Sequence, residues 1–295
     1  MNNITTGYIA GLFDADGCIH AGVSLQKGHS AYRGVYLQSN LNKDFLIKAS
    51  EHVGSGYVNT YKRKRKEGKD LTANVWANTS KKDIKRFCEI IKPYSVVKKS
   101  QLELMEKECE INLRTDRLKW PKRNKIVKEI TDQHNNNENV VIPDSLDYSW
   151  LAGMIDGDGY ISVHWVKNKK SKTGLRYPNR IIGVIINNFD LACFVAGAVG
   201  GSVSKRYSKI NKENKRKLSI IQVSILKRES VKKLLENIIP YLVLKKEKAE
   251  IAYKTLLIYP QKIENSNKYV YTDSQRDEIC RLCENFVEVR EKKYA

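Results

Sequence analysis

Residues 9–17 read IAGLFDADG and residues 151–159 read LAGMIDGDG, so the chain carries two copies of one nonapeptide. Each copy starts with small and apolar residues and ends in the order Asp-x-Asp-Gly. The similarity continues downstream, because residues 90–104 (IIKPYSVVKKSQLEL) are echoed by residues 238–252 (IIPYLVLKKEKAEIA). Self-similarity over this distance predicts a duplicated domain.

Hydrophobic periodicity predicts the same order of elements in both copies. In the first copy, the nonapeptide helix is followed by predicted strands at residues 18–26 and 32–38, a helix at 44–53, strands at 57–65 and 71–78, and a helix at 81–91. In the second copy, strands are predicted at residues 160–166, 180–187, 202–209 and 218–225. Each copy is therefore predicted to be an αββαββα unit.

The predicted boundaries place a first repeat at residues 1–105, a linker at 106–147, a second repeat at 148–257 and a C-terminal helical extension at 258–295. The linker is charged and Asn-rich, and we expect one helix in it near residues 124–133. The run Thr272-Asp273-Ser274 can cap the helix of the extension, which should end near Val289.

The composition is strongly basic. Lysine and arginine number 53 against 33 acidic residues, which gives a formal net charge of +20. Such a surplus favours a polyanionic partner, and nucleic acid is the usual one. No stretch approaches the ~20 apolar residues of a spanning helix, and no cleavable signal opens the sequence, so we expect an intracellular protein with no membrane partner. Cys280 and Cys283 form a lone CxxC pair, which lacks the second ligand pair of a zinc site.

The acids that end the nonapeptides are candidate catalytic groups. Asp16 and Asp158 fall at the C-terminal ends of their helices, where the helix dipole disfavours a negative charge by ~0.3–1 kcal/mol. Two such helices could approach closely, because each has small residues in its middle: Ala10, Gly11, Ala152 and Gly153. Two adjacent carboxylates repel each other unless a divalent cation binds them. A calcium-sensor loop would need a glutamate that neither copy has, and an oxygen-rich, thiol-free site suits Mg²⁺.

The paired nonapeptides, each opening an αββαββα unit, resemble the LAGLIDADG homing endonucleases, specifically the single-chain kind with two repeats. The likeness covers residues 7–105 and 148–257. It implies an α+β fold of two pseudo-symmetric αββαββα repeats, each with a curved antiparallel sheet, which form a DNA-binding saddle. It also implies a monomeric DNA endonuclease that makes a staggered double-strand break in a long asymmetric target by metal-dependent phosphodiester hydrolysis.

The resemblance assigns the last acid of each motif, Asp16 and Asp158, to the catalytic metal, with Ala15 and Gly157 as further candidate ligands. The first acid of each motif is expected to be structural. Mg²⁺ is the expected cofactor, Mn²⁺ its substitute, and Ca²⁺ an ion that binds without supporting cleavage.

Four further residues are implied for the chemistry. Lys98 and Lys245 follow the matching prolines Pro93 and Pro240 of the two downstream segments. Both lysines are expected beside the reaction centre, where they would offset developing negative charge. Gln38, at the end of the second strand, would position the attacking water. The second copy has no glutamine there, and Asn187 is the nearest candidate, so the two strand-cutting sites could be unequal.

The outward positions of the predicted strands carry amides, hydroxyls, aromatic rings and arginines, which suit base edges in the major groove. In the first copy they are His20, Ser24, Gln26, Tyr32, Tyr36, Gln38, Tyr57, Asn59, Tyr61, Arg63, Asn74 and Trp76. In the second copy they are Tyr160, Ser162, His164, Asn168, Arg180, Ser204, Arg206, Gln222 and Ser224. Basic strand tips at residues 62–66, 167–170 and 212–217 are expected to contact phosphates, which would make binding salt-sensitive.

Two alternative functions are compatible with these features. A maturase would bind its own intron RNA as a splicing cofactor, and a DNA-binding regulator would have lost cleavage. The presence of both Asp16 and Asp158 favours the nuclease over either alternative. The Lys-, Asn- and Ile-rich composition suggests an AT-rich genome, and hence an intron-encoded protein of a chloroplast or mitochondrion.

Overall fold

The structure, a computed structural model, describes residues 4–24, 30–39, 43–64, 70–111, 120–136, 140–167, 176–207, 219–262 and 269–292. The chain divides into two compact units, Met1–Asp158 and Gly159–Ala295. Both units combine helices with antiparallel sheets, as the predicted α+β class requires. No helix within these ranges has the length and apolar character needed to cross a membrane.

The first unit begins in the predicted αββαββα order. Its elements are α1 (Thr6–Asp16), β1 (Gly17–Ser24), β2 (Ser30–Ser39), α2 (Lys43–Val53), β3 (Tyr57–Lys64), β4 (Asp70–Asn78) and α3 (Lys81–Ile91). The strands form one antiparallel sheet in the order β1-β2-β4-β3. Helices α4 (Lys99–Glu110), α5 (Trp120–Asn136) and α6 (Tyr148–Asp158) follow, and α6 contains the second nonapeptide.

The second unit repeats this order after its own nonapeptide helix. Its elements are β5 (Gly159–Lys167), β6 (Arg176–Ile185), α7 (Phe189–Val199), β7 (Ser202–Tyr207), β8 (Ser219–Ile225), α8 (Arg228–Ile238) and α9 (Lys246–Leu257). The sheet order β5-β6-β8-β7 matches that of the first unit. A short pair of strands, β9 (Gln261–Lys262) and β10 (Tyr269–Val270), precedes the last helix, α10 (Asp273–Lys292).

One face of each sheet is packed against helices, because apolar and polar side chains alternate along the strands. In the first sheet, Val35 and Leu37 are buried, and the register aligns them with Ile19 and Trp76 on the same face. The Trp76 ring meets the ring of Phe87 of α3 edge-on, with centroids 5.3 Å apart. The second sheet buries Ile161, Val163, Ile182, Val184 and Val223.

The ends of two helices follow signals that the sequence contains. Helix α7 ends at Gly200, whose φ of 66° is left-handed and therefore favours glycine. The predicted cap of α10 is confirmed, because the Gln275 amide donates to the Thr272 hydroxyl at 3.3 Å and the Thr272 amide donates to the Gln275 side chain at 3.0 Å. Helix α10 continues past the predicted end at Val289.

The helix predicted in the linker exists as α5 and is longer than expected. Its Arg123 side chain is fully buried and donates Nε to Glu108 of α4 at 2.7 Å. The same guanidinium donates Nη2 to the carbonyl oxygens of Gly22 at 3.0 Å and Tyr32 at 3.1 Å, which face each other on β1 and β2. Buried hydrogen bonds thus anchor α5 to the first repeat.

Two outward assignments on β4 are wrong. Trp76 is 0% exposed, and its indole donates to the carbonyl oxygen of Ser55 at 2.9 Å. Asn74 lies two residues earlier on the strand, so it shares the helix-packed face with Trp76. The asparagines around Trp76 give this face a polar appearance in the sequence, but the large indole fills the space beside α3.

The outward assignment of Arg180 is also wrong. The register aligns Arg180 with Val163 on the buried face of the second sheet. Its guanidinium is buried and donates Nε to the Thr255 hydroxyl of α9 at 2.9 Å, together with Nη1 to the carbonyl oxygen of Pro178 at 3.1 Å. Burial is the first cause that lowers the pKa of Arg180 from its usual value. This arginine therefore supports the fold of the second unit.

Candidate functional site

Helices α1 and α6, which carry the two nonapeptides, pack in direct backbone contact within the first unit. A Cβ atom added to Gly11 would lie 1.9 Å from the carbonyl oxygen of Trp150. A Cβ atom added to Gly153 would lie 2.2 Å from the carbonyl oxygen of Tyr8. Any larger residue at either glycine would force the helices apart. The predicted close approach of these two helices is thus confirmed.

The first acid of the first motif, Asp14, is buried and surrounded by donors. Its carboxylate accepts hydrogen bonds from the Ser95 hydroxyl at 2.5 Å and the Trp150 indole at 2.9 Å. It also accepts from the backbone amides of Val96, Val97 and Lys98 at 2.7–3.0 Å. Five donors on one carboxylate fix the turn before α4 against both α1 and α6.

The first acid of the second motif, Asp156, is equally buried. It accepts the phenolic hydrogen of Tyr8 at 2.8 Å. Burial, followed by the charge of Asp156, raises the pKa of Tyr8, so this phenol remains a donor. Tyr8 and Trp150 occupy the same position just before each motif, and each donates to the first acid of the opposite motif. These reciprocal bonds fix the relative position of the two helices.

The last acids, Asp16 and Asp158, differ from their buried neighbours because their side chains are exposed. Each is the final residue of its helix. The two helix ends lie close together, since a Cβ atom added to Gly157 would lie 2.4 Å from the Cβ atom of Ala15 and 3.4 Å from an Asp16 carboxylate oxygen. The structure therefore groups Asp16, Ala15 and Gly157 with the end of α6 that carries Asp158.

Lys98 lies beside this pair of helix ends and is buried. Its ammonium donates to the carbonyl oxygen of Phe13 at 3.0 Å and to that of Asp14. Burial lowers the pKa of Lys98, while the charges of Asp14, Asp158 and Asp16 oppose this shift. Lys98 thus adds one positive charge to a cluster of negative ones, at the helix end where carbonyl dipoles favour a cation.

Lys245 has the backbone conformation of Lys98 in the second unit. Each lysine immediately precedes a helix, α4 or α9, with φ/ψ of −103°/9° at Lys98 and −105°/11° at Lys245. Asn187 is exposed in the bend between β6 and α7, and the Gln38 side chain lies outside the described residues. A role for Lys245, Asn187 or Gln38 at the reaction centre stays a prediction.

The open face of the first sheet carries most of the outward residues assigned to it. His20, Tyr32, Tyr57, Asn59 and Tyr61 are exposed, and Tyr36 is half-buried. Gln26 lies outside the described residues, as do the side chains of Ser24, Gln38 and Arg63. This face is rich in tyrosine, and the described side chains on it include no acid.

The open face of the second sheet carries a hydrogen-bonded polar cluster beside Ile181 and Ile185. Gln222 donates to the Tyr160 hydroxyl at 2.8 Å and to the Ser224 hydroxyl at 2.7 Å. The Ser162 hydroxyl oxygen and His164 Nδ1 lie 3.2 Å apart. Ser204 lies on the same face, because the register pairs it with Gln222. Asn168 and the Arg206 side chain lie outside the described residues.

Sequence reasoning missed the donors that hold the first acids. Tyr8 and Trp150 sit one residue before their motifs, and both are aromatic residues with a polar hydrogen. This shared position was a signal that could have identified them, because Tyr and Trp bury well when a partner accepts that hydrogen. Ser95 had no comparable signal in the sequence.

The exposed acids fit a hard divalent cation. Two carboxylates and the backbone oxygens near them form the oxygen-only ligand set that Mg²⁺ prefers. In the described part of the chain, no group of three or more His, Cys, Asp and Glu side chains could hold a metal. A cation between Asp16 and Asp158 would therefore need further oxygen ligands from the backbone, water or a bound phosphate.

Comparison with known proteins finds a family model that matches the second repeat and solved structures with a similar fold. Residues 151–258 match a family model described as LAGLIDADG endonuclease, whereas no curated protein matches the chain. The LAGLIDADG homing endonuclease I-GzeII in complex with its DNA target has a TM-score of 0.66 and 18% identity, over 96% of this chain and 98% of that one. I-SmaMI bound to cleaved DNA has a TM-score of 0.66 and 15% identity, over 96% of each chain.

A further I-SmaMI structure, bound to uncleaved DNA target in the presence of calcium ions, has a TM-score of 0.65 and 16% identity, over 96% of this chain and 99% of that one. At such low identities, the solved structures show similarity of fold alone. The family model matches the sequence of the second repeat. The resemblance is confirmed: the chain has the two-repeat fold of the LAGLIDADG homing endonucleases, and residues 151–258 match the LAGLIDADG endonuclease family.

Proposed function

We propose that this chain is a monomeric, site-specific homing endonuclease that makes a staggered double-strand break in a long asymmetric DNA target. One observation carries the proposal. Asp16 and Asp158 end two helices in backbone contact and are exposed, while the acids two residues before them are buried. Family membership of the second repeat and the DNA complexes of the structural neighbours support the same conclusion.

Asp16 and Asp158 would hold the catalytic metal, with the backbone at Ala15 and Gly157 beside them. We propose Mg²⁺ as the ion, with Mn²⁺ as a substitute and Ca²⁺ as an ion that permits binding without cleavage. The I-SmaMI complex with uncleaved DNA in the presence of calcium supports the role proposed for Ca²⁺. When bound, such an ion would neutralise charge on the phosphoryl oxygens and stabilise the leaving oxygen.

The protein's own groups would prepare the scissile phosphate. Lys98 holds the end of α1 through the carbonyl oxygens of Phe13 and Asp14, and its positive charge would offset negative charge developing on the phosphate. Lys245 would serve the other strand. Gln38 and Asn187 would orient the attacking water, and their difference would make the two cleavage rates unequal.

The open faces of the two sheets would read the target sequence. Two-stranded ribbons fit the major groove, where side chains meet base edges. Because the first face is rich in tyrosine and the second in hydroxyls and amides, the two halves of the target should differ. The Lys-, Asn- and Ile-rich composition supports an organellar, intron-encoded origin, and the chain's own intron RNA is a second candidate ligand.

The proposal is tested by cleavage of DNA that carries candidate target sites. We expect Mg²⁺-dependent double-strand breaks that EDTA abolishes. Asp16→Asn and Asp158→Asn should each lower the cleavage rate by about 100-fold or more, since each removes a charge needed at the metal. Asp132→Asn, on the exposed surface of α5, is the matched control and should cut at the parental rate. Parental rates in both site variants would refute the assignment, and RNA binding without cleavage would favour the maturase.

A further inference from the structure

The open face of the first sheet carries a group of four tyrosines, Tyr32, Tyr36, Tyr57 and Tyr61, which we call the tyrosine face. Tyr32, Tyr57 and Tyr61 are each exposed by 45–47%, a large fraction for aromatic side chains. They lie on the face opposite to the helices, because the register aligns Tyr57 and Tyr36 with Ala77 and Tyr61 with Ala73. Exposed aromatic groups on one face are typical of a binding surface.

Glycines beneath two of the rings allow these rings to lie close to the sheet. A Cβ atom added to Gly22 would lie 2.2 Å from the Tyr32 hydroxyl oxygen, and one added to Gly34 would lie 2.2 Å from the Tyr36 hydroxyl oxygen. These two rings therefore lie across glycines. The aromatic groups thus present ring surface as well as hydroxyl groups to a partner.

The described part of the tyrosine face carries no formal charge. Its described side chains around the rings are those of Cys18, His20, Asn59, Val75, Ala73 and Ala77, none of which is an acid, a lysine or an arginine, while Arg63 follows at the end of β3 with its side chain outside the described residues. Burial, followed by the neighbouring Tyr57 and Tyr61, raises the pKa of Tyr36, so its hydroxyl stays protonated. The face offers apolar contact and neutral hydrogen bonds.

The open face of the second sheet has a different set of side chains from the tyrosine face. There the amide of Gln222 is already bonded to the hydroxyls of Tyr160 and Ser224, and Ser162 lies against His164. That face combines this polar network, which suits hydrogen bonding to base edges, with the apolar side chains of Ile181 and Ile185. The two faces therefore differ in chemistry, although their strand orders are the same.

Thymine is the base whose major-groove edge fits an apolar ring. Its C5 methyl group is the apolar feature among base edges that otherwise present donors and acceptors. Building on the DNA-cleaving function proposed above, we propose that the tyrosine face reads thymine methyl groups in the half of the target bound by the first repeat. RNA lacks this methyl group, so the same face would favour DNA over RNA.

The test uses the full chain and a random-sequence duplex library, from which bound sites are selected in Ca²⁺ and then assayed for cleavage in Mg²⁺. Thymines of one half of the selected site are replaced by deoxyuridine, which removes only the methyl groups, and then those of the other half. We expect weaker binding for one half alone, by about fourfold for each contacted methyl, the value of one buried apolar carbon.

Two tyrosine variants identify the residues responsible. Tyr57→Ser combined with Tyr61→Ser removes two half-exposed rings from the edge strand β3. This variant should show a weaker preference for thymine over deoxyuridine than the parent, with the remainder due to Tyr32 and Tyr36. Tyr269→Ser, which removes a 62% exposed ring outside the sheet, is the matched control and should retain the parental preference.

The outcomes separate this inference from the proposed function. A protein that selects and cuts a site, but tolerates deoxyuridine in both halves, would overturn the thymine inference alone. So would equal losses in both halves, a selected site without thymine in either half, or a preference that is undiminished in the double tyrosine variant. A protein that neither selects nor cuts DNA would overturn the proposed function and this inference with it.

Discussion

Two aspartates separated by one residue have opposite environments in the nonapeptide. Asp14 is buried and accepts five hydrogen bonds, whereas Asp16 is exposed at the end of the helix. The helix geometry explains this difference, since residues two positions apart point in different directions. A buried carboxylate needs donors, and an exposed one at a helix C-terminus is available to a cation. Position within the motif therefore decides between structure and chemistry.

The reciprocal bonds of Tyr8 and Trp150 lead to a prediction about stability. Tyr8→Phe and Trp150→Phe each remove one charge-assisted hydrogen bond to a buried carboxylate, so each should lower the free energy of unfolding by about 1.5–3 kcal/mol. Urea denaturation followed by circular dichroism measures the loss. Tyr253→Phe removes an exposed phenol–carboxylate bond to Glu236 and should leave the midpoint unchanged. Equal effects in all three variants would contradict a special role for the buried pairs.

Individual residues also show how far the sequence could predict the site. Asp16 and Asp158 were recognisable because the motif repeats and because an acid at a helix C-terminus has no structural benefit. The partners Tyr8 and Asp156 lie 148 residues apart, and Ser95 and Asp14 lie 81 apart. Such pairs depend on how helices dock, which periodicity within a segment does not contain.

Helices α1 and α6 pack closely because Gly11 and Gly153 lie at their contact. This packing leads to a second prediction. Gly11→Ala and Gly153→Ala would each drive a methyl group into the backbone of the other helix, at 1.9 Å and 2.2 Å. We expect a loss of about 3 kcal/mol or more, or failure to fold. Gly197→Ala on α7, where nothing lies within 4 Å, is the control and should stabilise the fold by about 0.5–1 kcal/mol. Thermal unfolding of the three variants would reveal any reversal of this order.

The linker helix α5 gives a third prediction. Arg123→Met would leave the buried Glu108 carboxylate with Arg33, at 3.2 Å, as its remaining ion pair, and would remove the bonds to two strand carbonyls. We expect a loss of about 3 kcal/mol, the lower end of the range for breaking a buried ion pair, because Arg33 still compensates part of the Glu108 charge. Lys125→Met, on the exposed side of the same helix, should change little. Comparable denaturation midpoints for both variants would show that the α5 anchor is unimportant.

Element positions were more predictable than element faces. Helix α3 begins and ends at the predicted residues, and β1 to β4 differ by one or two residues at the ends that the structure describes. On β4, however, the alternation of Asn74 and Trp76 with Val75 and Ala77 is ambiguous in the sequence, and the outward prediction for Asn74 and Trp76 is wrong. Tertiary packing decided otherwise, because the Trp76 indole needs the volume next to Phe87.

The whole molecule carries a formal charge of +20, which must act on any polyanion it meets. The buried arginines Arg123 and Arg180 contribute little direct phosphate contact, since their guanidinium groups are occupied within the fold. We expect phosphate binding to come instead from the basic segments at residues 62–66, 167–170 and 212–217, most of which lie outside the described residues. Specificity and affinity would then have different locations on the protein.

This separation gives the final prediction. The logarithm of DNA affinity should fall linearly with the logarithm of salt concentration, and each phosphate-contacting lysine should contribute about 0.9 to the slope. Lys64→Gln with Lys66→Gln, in the basic segment at residues 62–66, should therefore reduce the slope by about 2. Lys82→Gln with Lys85→Gln, on α3, changes the net charge equally but should leave the slope unaltered. If both pairs lower it equally, the total charge of the protein governs binding, whereas an effect confined to the tip pair would locate the phosphate contacts there.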